Sequence, residues 1–178
     1  ALGVRCQHCH IGEEGKPLDT FNFVSDEKPA KQTARVMLQM VQAINNEYLA
    51  KVTDRSAPPI NASCITCHHG QPRPRMLEEV LHEAMTAQGV EAGIAKYREL
   101  REKYYGGFVY DFSEGTLARL AQQLQMEKKN DEALAMLKVN VEFYPNSGMG
   151  YFQMAELYLA KGEKATAIEL YKKSLALN

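Results

Sequence analysis

Cys6-Gln7-His8-Cys9-His10 and Cys64-Ile65-Thr66-Cys67-His68 contain all four cysteines of this 178-residue chain, with 54 residues between the two cysteine pairs. Each reads C-x-x-C-H. Two thiols three positions apart each add to one vinyl group of the same porphyrin, and the histidine that follows lies under the ring. This is the attachment pattern of a c-type haem. Two strings predict two covalently held haem c groups, with iron, and a function dominated by redox chemistry. Zinc is the main chemical alternative, but common zinc ribbons place their cysteine pairs about 15–20 residues apart and need no trailing histidine.

Working outward, Lys and Arg number 21 against 22 Asp and Glu, for a net charge of −1. No basic surplus is available for nucleic acid or an anionic membrane. No apolar run approaches the roughly 20 residues that span a bilayer, so no transmembrane segment is expected. The chain opens at Ala1 rather than Met, so an export signal is expected to have been removed. Haem attachment generally takes place outside the cytoplasmic membrane. The expected location is therefore exported: periplasmic, extracellular or on the cell surface.

The organisation predicts an all-α fold in two parts. Residues 1–74 form a small dihaem cytochrome c domain, and residues 75–178 a helical-hairpin array. Residues 11–28 are polar and show no clear period. Ser25 or Asp26 is expected to cap a helix that has Pro29 in its first turn. Met37, Met40, Val41, Ile44 and Tyr48 then recur at helical spacing, and the helix fades near Val52. Residues 54–61, with Pro58-Pro59, break the chain before the second string. Pro72 and Pro74 mark the domain boundary.

A period of 34 residues governs the second part. Leu117, Leu120, Ala121, Leu124, Ala133 and Leu137 are matched by Tyr151, Met154, Ala155, Tyr158, Ala167 and Tyr171. The spacing, with Pro145 closing the first copy, resembles the tetratricopeptide repeat. Repeats are read at about 114–146 and 148–178, with Lys128 and Gly162 at the inter-helix turns. Residues 75–105 read as a degenerate earlier pair with Gln88-Gly89 at its turn. Gly106-Gly107-Phe108-Val109-Tyr110-Asp111-Phe112 interrupts the period as an aromatic insert.

His10 and His68 are the proximal ligand candidates, and Cys6, Cys9, Cys64 and Cys67 the thioether tethers. A strong sixth ligand gives a centre suited to electron transfer, whereas an open position permits peroxide or gas chemistry. For the second haem the best donor is Met40, on the helix before the Cys64 string. Met37, one turn away, is the alternative.

The stretches 1–10, Met40-Val41-Gln42-Ala43-Ile44-Asn45-Asn46-Glu47-Tyr48-Leu49 and Cys64-Ile65-Thr66-Cys67-His68-His69-Gly70 resemble one half of the multihaem cytochrome subunit of photosynthetic reaction centres. In that family each haem module is a helix with an axial methionine, a turn, and the C-x-x-C-H string. The resemblance places the methionine at Met40 rather than Met37. It covers about residues 1–74, stops short of the repeats, and involves two strings rather than four, so it implies haem modules and not a role in photosynthesis.

The family's first haem takes its methionine from a helix ahead of the first string, and only five residues, none a methionine, stand there. The first iron is left with an open site, a ligand from elsewhere in the chain, or one from another molecule. His8 lies inside its own attachment loop, which leaves His69 and His82 as candidates. The expected function is electron transfer, with the repeats docking a redox partner protein or identical subunits. An apolar face around Ile168, Tyr171, Leu175 and Leu177 suggests homo-oligomers, and head-to-tail contact would build an electron-conducting polymer. The competing class is a dihaem peroxidase-like enzyme using an open first haem. No serine, carboxylate or glycine-rich constellation suggests other catalysis.

Overall fold

The computed structural model describes residues 2–54 and 58–177, so part of the break read at 54–61 lies outside the described residues. Eight α-helices account for the architecture, and no strand forms among the described residues. The chain divides into two compact units, Ala1–Pro74 and Arg75–Asn178.

The first unit has one long helix, α1 (Pro29–Ala43), extended by a π-helical turn at Ile44–Tyr48 and a 3-10 turn at Leu49–Lys51. The helix therefore fades at Val52 as expected. Its N-cap differs from expectation. Lys28 holds that position and provides no side-chain cap, because Pro29 fixes the first helical residue. Asp26 is instead drawn to Lys31 and Arg35, and the Ser25 hydroxyl accepts from Glu27 N–H. Ahead of α1 the chain is irregular, pinned by one antiparallel bridge between Ile11 and Asn22. The second string forms the short helix α2 (Cys64–His68).

No apolar side chain of this unit is buried among the described residues. The one buried residue is Lys31, whose ammonium donates to the carbonyls of Phe23 (2.7 Å), Val24 (3.1 Å) and Ser25 (2.9 Å) and pairs with Asp26 at 2.9 Å. A buried ammonium with four oxygen partners is satisfied, and it staples the loop to α1.

The second unit holds three helical hairpins: α3 (Leu77–Gln88) with α4 (Val90–Tyr104), α5 (Glu114–Met126) with α6 (Asn130–Phe143), and α7 (Gly148–Ala160) with α8 (Lys164–Ala176). Successive hairpins pack through α3 on α5, α4 on α6, and α6 on α7. The 34-residue pattern marks the core: Leu117, Leu120, Ala121, Leu124, Ala133 and Leu137 are fully buried. Their images Tyr151, Met154, Ala155 and Ala167 are buried as well.

Both later hairpins turn in the same way. Lys129 N–H reaches Leu124 O at 2.8 Å, and Glu163 N–H reaches Tyr158 O at 2.9 Å. These are Schellman bonds, which need a left-handed residue just before the donor. Gly162 supplies it at φ +81°, and Lys128 adopts it at φ +62°. Gly89 alone joins α3 to α4, at φ +86° and ψ 174°, a region that only glycine enters freely.

The aromatic insert has a structural role. Phe112 is buried, and Arg101 on α4 sits 3.9 Å from the Tyr105 ring centre and 4.5 Å from that of Phe143. The Arg101 guanidinium also donates to the hydroxyls of Tyr97 and Tyr144, at 3.2 and 3.3 Å, and Phe112 O accepts from both Arg101 and the Tyr144 hydroxyl, so the insert clamps α4 to α6.

Candidate haem-binding strings

The second string is held from three directions. Ahead of it, the Asn45 carboxamide makes a pair of hydrogen bonds with Ala62: Nδ2 donates to Ala62 O at 2.9 Å, and Ala62 N–H donates to Oδ1 at 2.8 Å. At the N-cap, Ser63 N–H donates to the Thr66 hydroxyl at 2.9 Å, the return half of a capping box. At the far end, His68 Nδ1 lies 2.9 Å from Gln71 O. A carbonyl only accepts, so this bond keeps the proton on Nδ1 and leaves the Nε2 lone pair free for a metal. A histidine at the end of C-x-x-C-H needs that tautomer to serve as a proximal ligand.

The first string is held differently. Cys6–His8 forms a single 3-10 turn, with Arg5 at the N-cap and no side-chain cap bond. His10 N–H donates to Cys6 O at 2.9 Å, which curls the histidine back over its own string. The His10 ring packs on Phe23, centres 4.7 Å apart, and its Nδ1 is buried without a hydrogen-bond partner among the described residues. Lys28 Nζ donates to Gln7 O, tying α1 to this string as Asn45 ties its far end to the other. A cleft beside the string is lined by Val4, Cys6, Leu18 and Phe21, with Lys16 and the ion pair of Arg5 and Glu14 among its walls. Apolar walls with nearby cations suit a porphyrin face and its propionates.

Met40 is 43% exposed, and Met37 beside it is half-buried. The apolar side chains that protein atoms leave open across this unit, such as Phe23, Leu38, Met40, Ile60 and Ile65, are the lining that haem groups would cover. The four cysteines are in no disulfide; Cys6 and Cys67 are exposed, and Cys9 and Cys64 half-buried. No three of His, Cys, Asp and Glu converge as a bare-metal cage among the described residues. The donor set therefore fits haem at both strings.

The two histidines read from the sequence as distal candidates at the first string are otherwise engaged. His69 takes a left-handed backbone, φ +49°, at the end of α2, and its Nε2 donates to Thr66 O at 3.0 Å. His82 on α3 places Nε2 2.8 Å from Glu127. Lys129, His82 and Gln123 surround that carboxylate and hold its pKa down to about 2. The partner of His82 lies 45 positions away and no local pattern announces it. Nothing in the local sequence marks Asn45, Lys28, Lys31 and Gln71 as site residues by their type or spacing. Asn45 alone carried a signal, as part of the stretch quoted for the family resemblance.

Two C-x-x-C-H strings on a core-poor helical unit define the class of c-type cytochromes. The chain belongs to the photosynthetic reaction centre cytochrome C subunit family, whose model matches residues 1–103, more than half of its length. This supports covalently bound haem c and a haem-based electron-transfer role. The chain is also similar to cytochrome c-554 of Chloroflexus aurantiacus, 38% identical over 72 residues that make up 40% of this chain and 15% of that protein. It thus spans a small part of that relative's length. The family match corrects the extent read from the sequence, because it continues past residue 74 through α3 and most of α4. Residues 75–103 carry no cysteine, and a plain amphipathic hairpin looks alike in a cytochrome and in a repeat array. No helix among the described residues is long and apolar enough to cross a membrane.

Proposed function

We propose that this chain is an electron carrier with two haem c groups, tethered at Cys6 and Cys9 and at Cys64 and Cys67. His10 and His68 are the proximal ligands and Met40 the distal ligand of the second haem. When bound, each group supplies an iron that alternates between ferrous and ferric states. The chain's task is to fix ligands and shield the ring. His68 does the first through Gln71, and the open apolar side chains of residues 2–74 do the second. The observation that carries the reading is the doubled string inside a unit that lacks a core of its own. The mass of the denatured protein tests it: an excess of two haems is expected, and the bare polypeptide mass would end it. An exported location, periplasmic or extracellular, goes with this chemistry.

The three hairpins act as a tetratricopeptide-like module that docks a redox partner or another copy of the chain. Leu134 is buried and Val141 partly buried in the hairpin α5–α6, while their 34-residue images Ile168 and Leu175 are 52% and 75% exposed. A face that one hairpin covers in the first copy is thus apolar and open in the second. Repeated head-to-tail docking there would string the haems into a conducting polymer. Electron microscopy of the concentrated protein checks this; monodisperse single particles would count against it.

The second reading is a dihaem peroxidase-like enzyme with an open first haem. It is favoured by the engagement of His69 Nε2 with Thr66 and of His82 Nε2 with Glu127. A high-spin ferric component that responds to carbon monoxide on reduction would support it. A purely low-spin, unresponsive spectrum excludes it.

A further inference from the structure

Asn45 stands where the α-helical ladder of α1 gives way to the π-helical turn Ile44–Tyr48. Such turns interrupt a helix at a cost and recur where a side chain must be re-aimed. Here the carboxamide pairs with both backbone groups of Ala62, 17 positions further on. Only Asn and Gln present a donor and an acceptor side by side, and Asn does so on the shorter, stiffer arm. The bonds therefore behave like one rung of a ladder between α1 and the segment that enters the second string.

Both sides of this rung are rigid. From Met40 to Asn45 the backbone is continuous helix, about 7.5 Å of rise. From Ala62 to His68 it is Ser63 with its Thr66 cap bond and then the α2 turn, closed by the bond from His68 to Gln71 O. The Asn45 side chain thus links the helix that carries Met40 directly to the segment that carries His68, across 17 positions of sequence. We infer that Asn45 is the positioning residue of the second haem: it keeps the Met40 thioether within reach of the iron and sets how firmly that bond holds. The inference rests on the proposed assignment of Met40 and His68.

The test uses the full haem-loaded chain, well below its unfolding temperature. The readout is the far-red charge-transfer band of a thioether on ferric haem, which an open or histidine-bound first haem does not contribute. Imidazole is titrated until the band disappears. In Asn45→Ala the apparent imidazole affinity at the second haem should rise about 10- to 100-fold, the usual effect of losing support behind a ligand. Asn45→Asp keeps the acceptor but loses the donor and sets a carboxylate oxygen against Ala62 O, so it too should raise the apparent imidazole affinity. Should Asn45→Ala not assemble, Asn45→Asp decides alone, and Met40→Leu marks complete loss of the band. A lower melting point with unchanged imidazole affinity in both variants overturns the positioning role and leaves Met40 in place. A native protein with no thioether band overturns the Met40 assignment itself, and the inference with it.

Discussion

Every buried apolar side chain among the described residues, from Leu77 to Ala167, lies in the second unit, while residues 2–74 bury only the cation of Lys31. The hairpins pack leucines, alanines and tyrosines against one another and exclude water without help. The first unit relies on polar staples: Lys31 on three carbonyls, Lys28 on Gln7 O, and Asn45 on Ala62. Hydrogen bonds net only about 0.5–1.5 kcal/mol each, too little to offset the ordering of some 70 residues. Such a unit needs a foreign core, and the proposed haem groups fit the role. The difference teaches that, on the proposed reading, haem serves as both redox group and hydrophobic core, whereas the hairpins are expected to stay folded without it.

The largest effect should come from removing the tethers. With all four cysteines changed to alanine, hydrogen exchange should show protection lost throughout residues 1–74 and kept in 75–178. Limited proteolysis should then leave a resistant fragment that begins near residue 75. Protection persisting in the first unit would break the comparison. Next comes Leu120→Ala, at a fully buried site on α5, with an expected cost of about 2–5 kcal/mol to the hairpins. It is read by denaturant unfolding, and the haem spectrum should not change at the same denaturant concentration.

Lys31→Met tests the polar strategy of the first unit. The variant strips three carbonyls and Asp26 of a cation, each bond between 2.7 and 3.1 Å, and should cost about 1.5–3 kcal/mol. Unfolding followed at the haem absorbance measures it. A neutral result would show that residues 23–26 are ordered by something other than this staple.

The same contrast explains what could be read from the sequence. Both C-x-x-C-H strings and the 34-residue period are short local patterns with fixed spacing, so haem chemistry and an all-α hairpin array were legible. The staples were not. On a helix Lys31 looks like one more solvated charge, and Asn45 like an ordinary polar residue. Their partners are carbonyls and amides, which every residue has, and nothing in the sequence marks the ones in use. The cap of α1 failed for a related reason: Asp26 suits a cap, but two cations nearby hold its carboxylate, and its pKa is lowered by Lys31 first and Arg35 next. The engagement of His82 by Glu127 also joins elements far apart in sequence.

Within the hairpins the two equivalent turns differ by one residue type, which allows a finer comparison. Lys128 pays the left-handed penalty that Gly162 escapes, although the Schellman bonds are the same. Lys128→Gly should therefore stabilise the second unit by about 1 kcal/mol, and Gly162→Ala should weaken it by about 1–2 kcal/mol. Opposite shifts in the thermal midpoint are the expected signature. Equal signs would mean that the Lys128 side chain contributes contacts that outweigh its backbone strain.

The smallest effect concerns Glu127, the residue beside that turn. Its carboxylate accepts from Lys129, His82 and Gln123 and titrates at about 2 in the folded chain, against an ordinary 4.5. The unfolded chain thus binds the proton first, and protonation favours unfolding. The contribution is complete above pH 4.5 and drains away as pH falls toward 2. Glu127→Gln should flatten the acid limb of the hairpin melting curve over that interval and leave the neutral limb parallel to the native one. The first unit has no part in this pair, so the acid response of the haem spectrum should be the same in both proteins. A change there would show that the ion pair at the end of α5 is felt beyond the hairpins.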